Sequence, residues 1–127
     1  MDVLSSRVLL RPAEPARSQA FYRDVLGLAV AREFGPPDHR GLVFFLGNGL
    51  LEVSGTSAEP PAGLALWLQV RDVRAEYERL AAAGVEALRE PREEPWGLVE
   101  AWVADPDGVR IALVQVPEDH PLRRDQR

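Results

Sequence analysis

The stretch Glu14-Pro15-Ala16-Arg17-Ser18-Gln19-Ala20-Phe21-Tyr22-Arg23-Asp24-Val25-Leu26-Gly27-Leu28 decides how the rest of the chain is read. Proline is tolerated at a first helical position because the N–H it lacks has no intrahelical partner there. Ala16, Ala20, Phe21 and Val25 then fall on one face, and Gly27 stands where a left-handed C-terminal cap would close a helix. The spacing predicts a helix from Pro15 to Leu26. Before it, Arg7-Val8-Leu9-Leu10 is a short apolar strand. After it, Leu28 to Phe34, Gly41 to Leu46 and Gly49 to Ser54 read as three strands, the last two joined at Gly47-Asn48, a hairpin signal. This part of the chain reads βαβββ.

Thr56 to Gly63, rich in proline, alanine and glycine, interrupts the pattern as a linker. The pattern then restarts. Ala65 to Val70 is a strand and Asp72 is a good N-cap. Val73, Tyr77, Leu80 and Ala81 keep the spacing of a helix face that ends near Gly84. Val85 to Arg89, Leu98 to Ala104 and Val109 to Gln115 are three more strands, with Asp105-Pro106-Asp107-Gly108 as the turn between the last two. Gly27 and Gly84 stand 57 positions apart, and Arg7 and Ala65 stand 58 apart, which marks a duplication. The expectation is one α+β domain over residues 1–116, with a first module over about 1–55, a linker at 56–63 and a second module over about 64–116. Residues 117–127 are expected to form a loose polar tail.

A length of 127 residues suits one domain. No apolar run approaches the roughly 20 residues of a membrane span. Met1 to Arg7 lacks the pattern of a secretory signal, so a cytoplasmic home is expected. The chain has no cysteine and its fifteen basic residues are all arginine. Thiolate chemistry, a Schiff-base lysine and a phosphate-loop lysine are thereby excluded. A net charge of −5 disfavours a nucleic-acid partner and suits a cationic small molecule better.

Phe21-Tyr22-Arg23-Asp24-Val25-Leu26-Gly27-Leu28 and Asp105-Pro106-Asp107-Gly108-Val109-Arg110-Ile111, in this order around a duplicated pattern, resemble the glyoxalase, bleomycin-resistance and dioxygenase superfamily, the vicinal-oxygen-chelate proteins. The resemblance implies two βαβββ modules whose curled mixed sheets surround a cavity, commonly completed by a homodimer. It also implies a divalent metal held by one side chain from each of four strands, mostly histidine and glutamate. Here Arg7 and Ala65 fall where the two histidines would stand, Glu52 takes the first glutamate's place and Ala112 the second's. Alanine has no donor atom and guanidinium no lone pair to give, so neither a metal nor another cofactor is expected. His39 and His120 lie outside all four places.

An ionised glutamate facing a cavity needs a partner, and the family's geometry nominates Arg7 for Glu52. A slip of one residue in the first strand would instead turn Arg7 to solvent and leave Glu52 neutral or water-bound. If position 65 faces the cavity, alternation brings Trp67 and Gln69 there too, and the family's register adds Glu100 and Trp102. Trp96 lies in the loop entering that last strand, where it can close the mouth. Aromatic faces beside carboxylates bind flat cationic or heteroaromatic molecules. The run from Ala65 to Val70 and the Pro95-Trp96-Gly97 loop look more like the drug-sequestering, bleomycin-resistance branch than like the glyoxalase branch. The expected function is metal-free binding of a small aromatic or cationic ligand, antibiotics included, by Arg7, Glu52, Trp67, Gln69, Trp96, Glu100 and Trp102, with no catalytic residue. The main alternative is a lyase, epimerase or dioxygenase-like enzyme using Glu52 or Glu100 as acid or base. In a third reading, a module without a ligand, the tryptophans serve only for packing.

Overall fold

In the computed structural model, which describes residues 1–59 and 61–122, each repeat forms a four-stranded mixed sheet. The first has β1 (Val8–Leu10), β2 (Val30–Phe34), β3 (Gly41–Leu46) and β4 (Gly49–Val53) in the order β1-β4-β3-β2. The second has β5 (Ala65–Gln69), β6 (Glu86–Glu93), β7 (Val99–Ala104) and β8 (Arg110–Gln115) in the order β5-β8-β7-β6. In each the opening strand pairs in parallel with the closing one, and the other pairings are antiparallel. The fold is thus α+β with two βαβββ repeats. The chain forms two compact units, one from Met1 to Gly63 with Pro106–Gly108, the other from Leu64 to Asp105 and from Val109 onward.

In the first unit, α1 (Pro15–Ala20) starts at its proline and passes into a π-helical turn over Phe21–Val25. The wider turn places the adjacent Phe21 and Tyr22 both inside, their rings edge to face at 5.0 Å. Leu26 donates to the Phe21 carbonyl and Leu28 to that of Tyr22, across Gly27 at φ +78°. That last bond takes the Leu28 N–H away from the sheet, which accounts for β2 starting at Val30 rather than at Leu28. Glu14 does not cap α1 with its side chain. Asp107, from the turn between β7 and β8, instead ties down the segment at its start: its carboxylate accepts from Ala13 N–H at 3.1 Å and Arg17 Nη2 at 2.7 Å, with Ser18 Oγ at 3.5 Å.

In the second unit, α2 (Val73–Ala82) is capped by Asp72, whose Oδ1 accepts from Ala75 N–H at 3.1 Å. It packs on β6, β7 and β8 and buries Val73 and Leu80. β6 runs to Glu93, past the expected end at Arg89. It is an edge strand with two register breaks, which hide its alternation and let Pro91 sit where no ladder N–H is required. The expected tail is docked at its start: His120 N–H donates to the Pro117 carbonyl and the His120 ring lies against Trp96. Residues 123–127 lie outside the described residues. No helix is long and apolar enough to cross a membrane.

Alternation gives each sheet two unlike faces. Leu10, Leu42, Phe44, Leu51 and Val53 form the apolar face of the first, and Leu66, Val103, Ile111 and Leu113 that of the second. The opposite faces carry equivalent rows. Cross-strand register aligns Leu9, Glu52, Val43 and Arg32 in the first sheet, and Trp67, Ala112, Trp102 and Arg89 in the second.

Candidate functional site

On the row-bearing face of the first unit, Glu52 is only 9% exposed and is fully engaged. Arg7 Nη1 donates to its Oε1 at 3.0 Å, and Ser54 Oγ to its Oε2 at 2.6 Å. Arg11 Nη1 reaches the same Oε2 at 3.3 Å and also donates to Ser54 Oγ at 2.5 Å. The Ser54 hydrogen bond holds the Glu52 carboxyl below the usual glutamate range; burial pushes the other way, and the two arginines add to the lowering. Glu52 is therefore a stably ionised anchor and a weaker base than an ordinary glutamate. The partner expected from the family's geometry, Arg7, is joined by Arg11, so the Glu52 charge is met by two guanidiniums.

In the second unit, Trp67 and Trp102 flank Ala112 on either side of β8, on one face. Trp67 is 50% exposed, while Trp102 packs against the buried Leu98, Ala112, Val114 and Val116. Arg110 stands over the Trp102 ring, its Cζ 5.4 Å from the centroid. Glu100, buried and two residues before Trp102 on the same face, accepts from Trp96 Nε1 at 2.7 Å. Among the described residues no arginine or histidine forms an ion pair with Glu100. Gln69 is half-buried on the same face, beside Val114.

The indole of Trp96 itself is exposed, but its loop is held. Gly97 N–H donates to the Glu94 carbonyl at 2.9 Å and Glu94 N–H to that of Leu98 at 2.7 Å. His120 Nδ1 accepts from Leu122 N–H, which leaves Nε2–H to donate to the Trp96 carbonyl at 3.0 Å. Gly97, at φ +92°, has the His120 ring where a Cβ would come, 3.2 Å from its Cδ2. Beneath the loop, burial pushes the Glu94 carboxyl up, and hydrogen bonds from Arg89 and Arg92 outweigh it and bring it below its ordinary value.

The structure brings Arg7 beside Glu52 and puts Trp67, Gln69, Glu100 and Trp102 on one sheet face; Trp96, expected only as a residue at the mouth, is tied to Glu100. Sequence reasoning missed Arg11, Ser54, Arg110, Glu94 and Asp107. Alternation was the available signal for the first two, since Arg11 follows Leu9 by two residues and Ser54 follows Glu52 by two. His39 is exposed next to Asp38.

The model of the Glyoxalase/Bleomycin resistance protein/Dioxygenase superfamily matches residues 5–113. The chain belongs to that superfamily. Its relatives include a probable lactoylglutathione lyase of Vibrio cholerae, 29% identical over 124 residues and covering 88% of this chain and 90% of the relative. A second probable lactoylglutathione lyase, from Synechocystis sp., is 27% identical over 119 residues, with 84% and 91% covered. Among solved structures, TnmS3, an antibiotic binding protein from a Streptomyces species, superposes with a TM-score of 0.75 at 25% identity, covering 91% of this chain and 98% of that one. The four places where enzymes of the superfamily hold a metal do not fit one here. Arg7 is engaged as a donor to Glu52, and Ala65 and Ala112 have no ligand atoms. Among the described residues no three His, Cys, Asp or Glu lie together as a metal site.

Proposed function

We propose that this superfamily member sequesters a flat aromatic or cationic small molecule, antibiotics included, without a metal. The observation that carries the reading is the row Trp67-Ala112-Trp102. Strands lie about 4.8 Å apart, so two residues on either side of β8 are separated by about 10 Å. A flat ring stacked between two others needs about 7 Å, twice a carbon–carbon contact distance. Trp102 lies over Ala112, which is 1% exposed, so a ligand ring would stack on the Trp67 side of that slot. Arg110 already holds Trp102, which leaves the half-exposed Trp67 as the open platform. Glu100 supplies a desolvated carboxylate that lacks a cationic partner among the described residues, which favours a ligand bringing a positive charge or a donor. The likeness to TnmS3 supports the same reading.

The names of the two curated relatives favour a lyase. That reading asks Glu52 or Glu100 to act as a base near neutral pH, and Glu52 is displaced in the wrong direction for the task. One set of measurements separates the two. Titration with a panel of cationic aromatic compounds, bleomycin among them, is expected to quench tryptophan fluorescence saturably, and elemental analysis to find no stoichiometric metal. About one transition metal per chain, with turnover of a lactoylglutathione-type substrate and no quenching by any panel member, would overturn the proposal.

A further inference from the structure

Arg7 and Arg11 outnumber the carboxylate they hold. An arginine has five N–H donors; Arg7 uses Nη1 alone on Glu52, and Nη1 of Arg11 makes all of that side chain's hydrogen bonds to Glu52 and Ser54. The Nε and Nη2 groups of both have no acceptor among the described residues. The side chains remain 34% and 46% exposed, so these donors reach solvent. Glu52 stays ionised and, with Ser54, fixes both guanidiniums on one face, leaving the group with one net positive charge. Leu9 lies between the two arginines on the same side of β1 and is half-exposed. On the same face the exposed Phe45 pairs with Leu50.

Duplication does not account for this arrangement. At the equivalent places of the second unit stand Ala65, Trp67, Gln69 and Ala112, where the first has Arg7, Leu9, Arg11 and Glu52.

We propose that this face of the first unit is a binding site for an organic carboxylate, with Arg7 and Arg11 donating to its oxygens and Leu9 and Phe45 meeting its apolar body. Two pre-oriented guanidiniums suit a planar two-oxygen anion. The exposed apolar side chains favour one attached to a hydrophobic group. The site stands on the first unit alone and does not depend on the tryptophan slot.

The test uses the full chain at low ionic strength, with benzoate, its neutral isostere benzamide and inorganic phosphate as calorimetric probes. Benzoate is expected to bind at least about tenfold more tightly than benzamide, and Arg7→Ala and Arg11→Ala each to weaken it about tenfold, the scale of one charge-assisted hydrogen bond. Glu52→Gln is expected to act in the opposite sense and strengthen benzoate binding, because it releases both guanidiniums. If that variant does not fold, Arg7→Ala carries the test, since Arg7 has a single hydrogen bond to lose; circular dichroism checks its fold. Equal binding of benzoate and benzamide, no benzoate binding, or an unchanged Arg7→Ala affinity would each overturn the proposal. Phosphate binding more tightly than benzoate would overturn the assignment to an organic carboxylate. Absence of benzoate binding with quenching by the cationic panel intact removes this site and leaves the tryptophan reading standing.

Discussion

Replacing Trp67 or Trp102 by alanine should separate a ligand platform from a core residue, and the expected sizes follow from their packing. Trp102 rests on Leu98, Ala112, Val114 and Val116, all almost completely buried, and its removal leaves a cavity among them. Such truncations cost about 3–5 kcal/mol, a large share of the roughly 5–15 kcal/mol that holds a domain together. At this chain length the thermal midpoint should fall by about 10–20 °C. Trp67 lies on an edge strand with half its surface already in water. A tryptophan buries at most about 250 Å², so about 125 Å² is at stake, worth at most about 3 kcal/mol at about 25 cal/mol per Å² and less once the alanine's own burial is subtracted. The stacking anchor lost with it should weaken the best panel ligand by about 1–3 kcal/mol, or five- to 150-fold. Thermal unfolding by circular dichroism and fluorescence titration of the remaining tryptophans measure both effects on each variant. A Trp67→Ala protein that binds that ligand as tightly as the parent would refute the slot. A Trp102→Ala protein with an unchanged midpoint would refute the packing assigned to it.

Asp107→Ala should destabilise the fold by about 1–3 kcal/mol, the scale of a lost hydrogen bond from the Ala13 N–H to a charged group, with little from the half-exposed Arg17; urea unfolding checks it, and Asp107→Asn should recover part of the loss. Glu52 and Glu94 have folded-state values below their unfolded ones, so their contribution is complete above the unfolded glutamate value of about 4.3 and disappears as pH falls through the lowered folded values. Urea midpoints should therefore be flat from pH 7 to about 5 and drop below about 4, and less steeply in Glu52→Gln; a midpoint that rises on acidification contradicts the pairing. The unpaired edge strands of the two sheets should support a homodimer, with light scattering at micromolar concentration giving about twice the 14.1 kDa chain mass, and a monomer at all concentrations counts against it.

The repeated elements were legible because period and punctuation agree: proline opens α1, Asp72 caps α2, and Gly27 and Gly84 close their helical stretches in the left-handed region. What was not legible depended on partners distant in sequence. Nothing near Glu14 tells that Asp107, about 90 positions away, holds the segment where the first helix starts. The π-helical turn follows from seating Phe21 and Tyr22 in one core, which helical periodicity would have put on different faces. In the site, alternation named Trp67 and Gln69 together, because one strand's parity fixes all its side chains, and the family resemblance added Glu100 and Trp102 from another strand. It could not tell that Trp102 is held by packing while Trp67 is open, since both obey the same parity and differ only in what lies beside them.

Charge is where the whole-chain view misleads most. A net charge of −5 suggests that carboxylates are available to a cation, yet availability is settled pair by pair. Desolvation at Glu52 is offset by a hydroxyl and two guanidiniums, and the offset leaves a positive group with donors to spare. Transplanting that carboxylate to the equivalent Ala112 would lack all three partners, because Ala65, Gln69 and Val114 stand where Arg7, Arg11 and Ser54 stand in the first unit. The second unit keeps its carboxylate at Glu100 instead, against an indole N–H, which satisfies one lone pair without cancelling the charge. Two faces of identical topology thus present opposite chemistry: on one, Arg7 and Arg11 keep N–H groups for an acceptor, and on the other Glu100 has no counter-ion among the described residues.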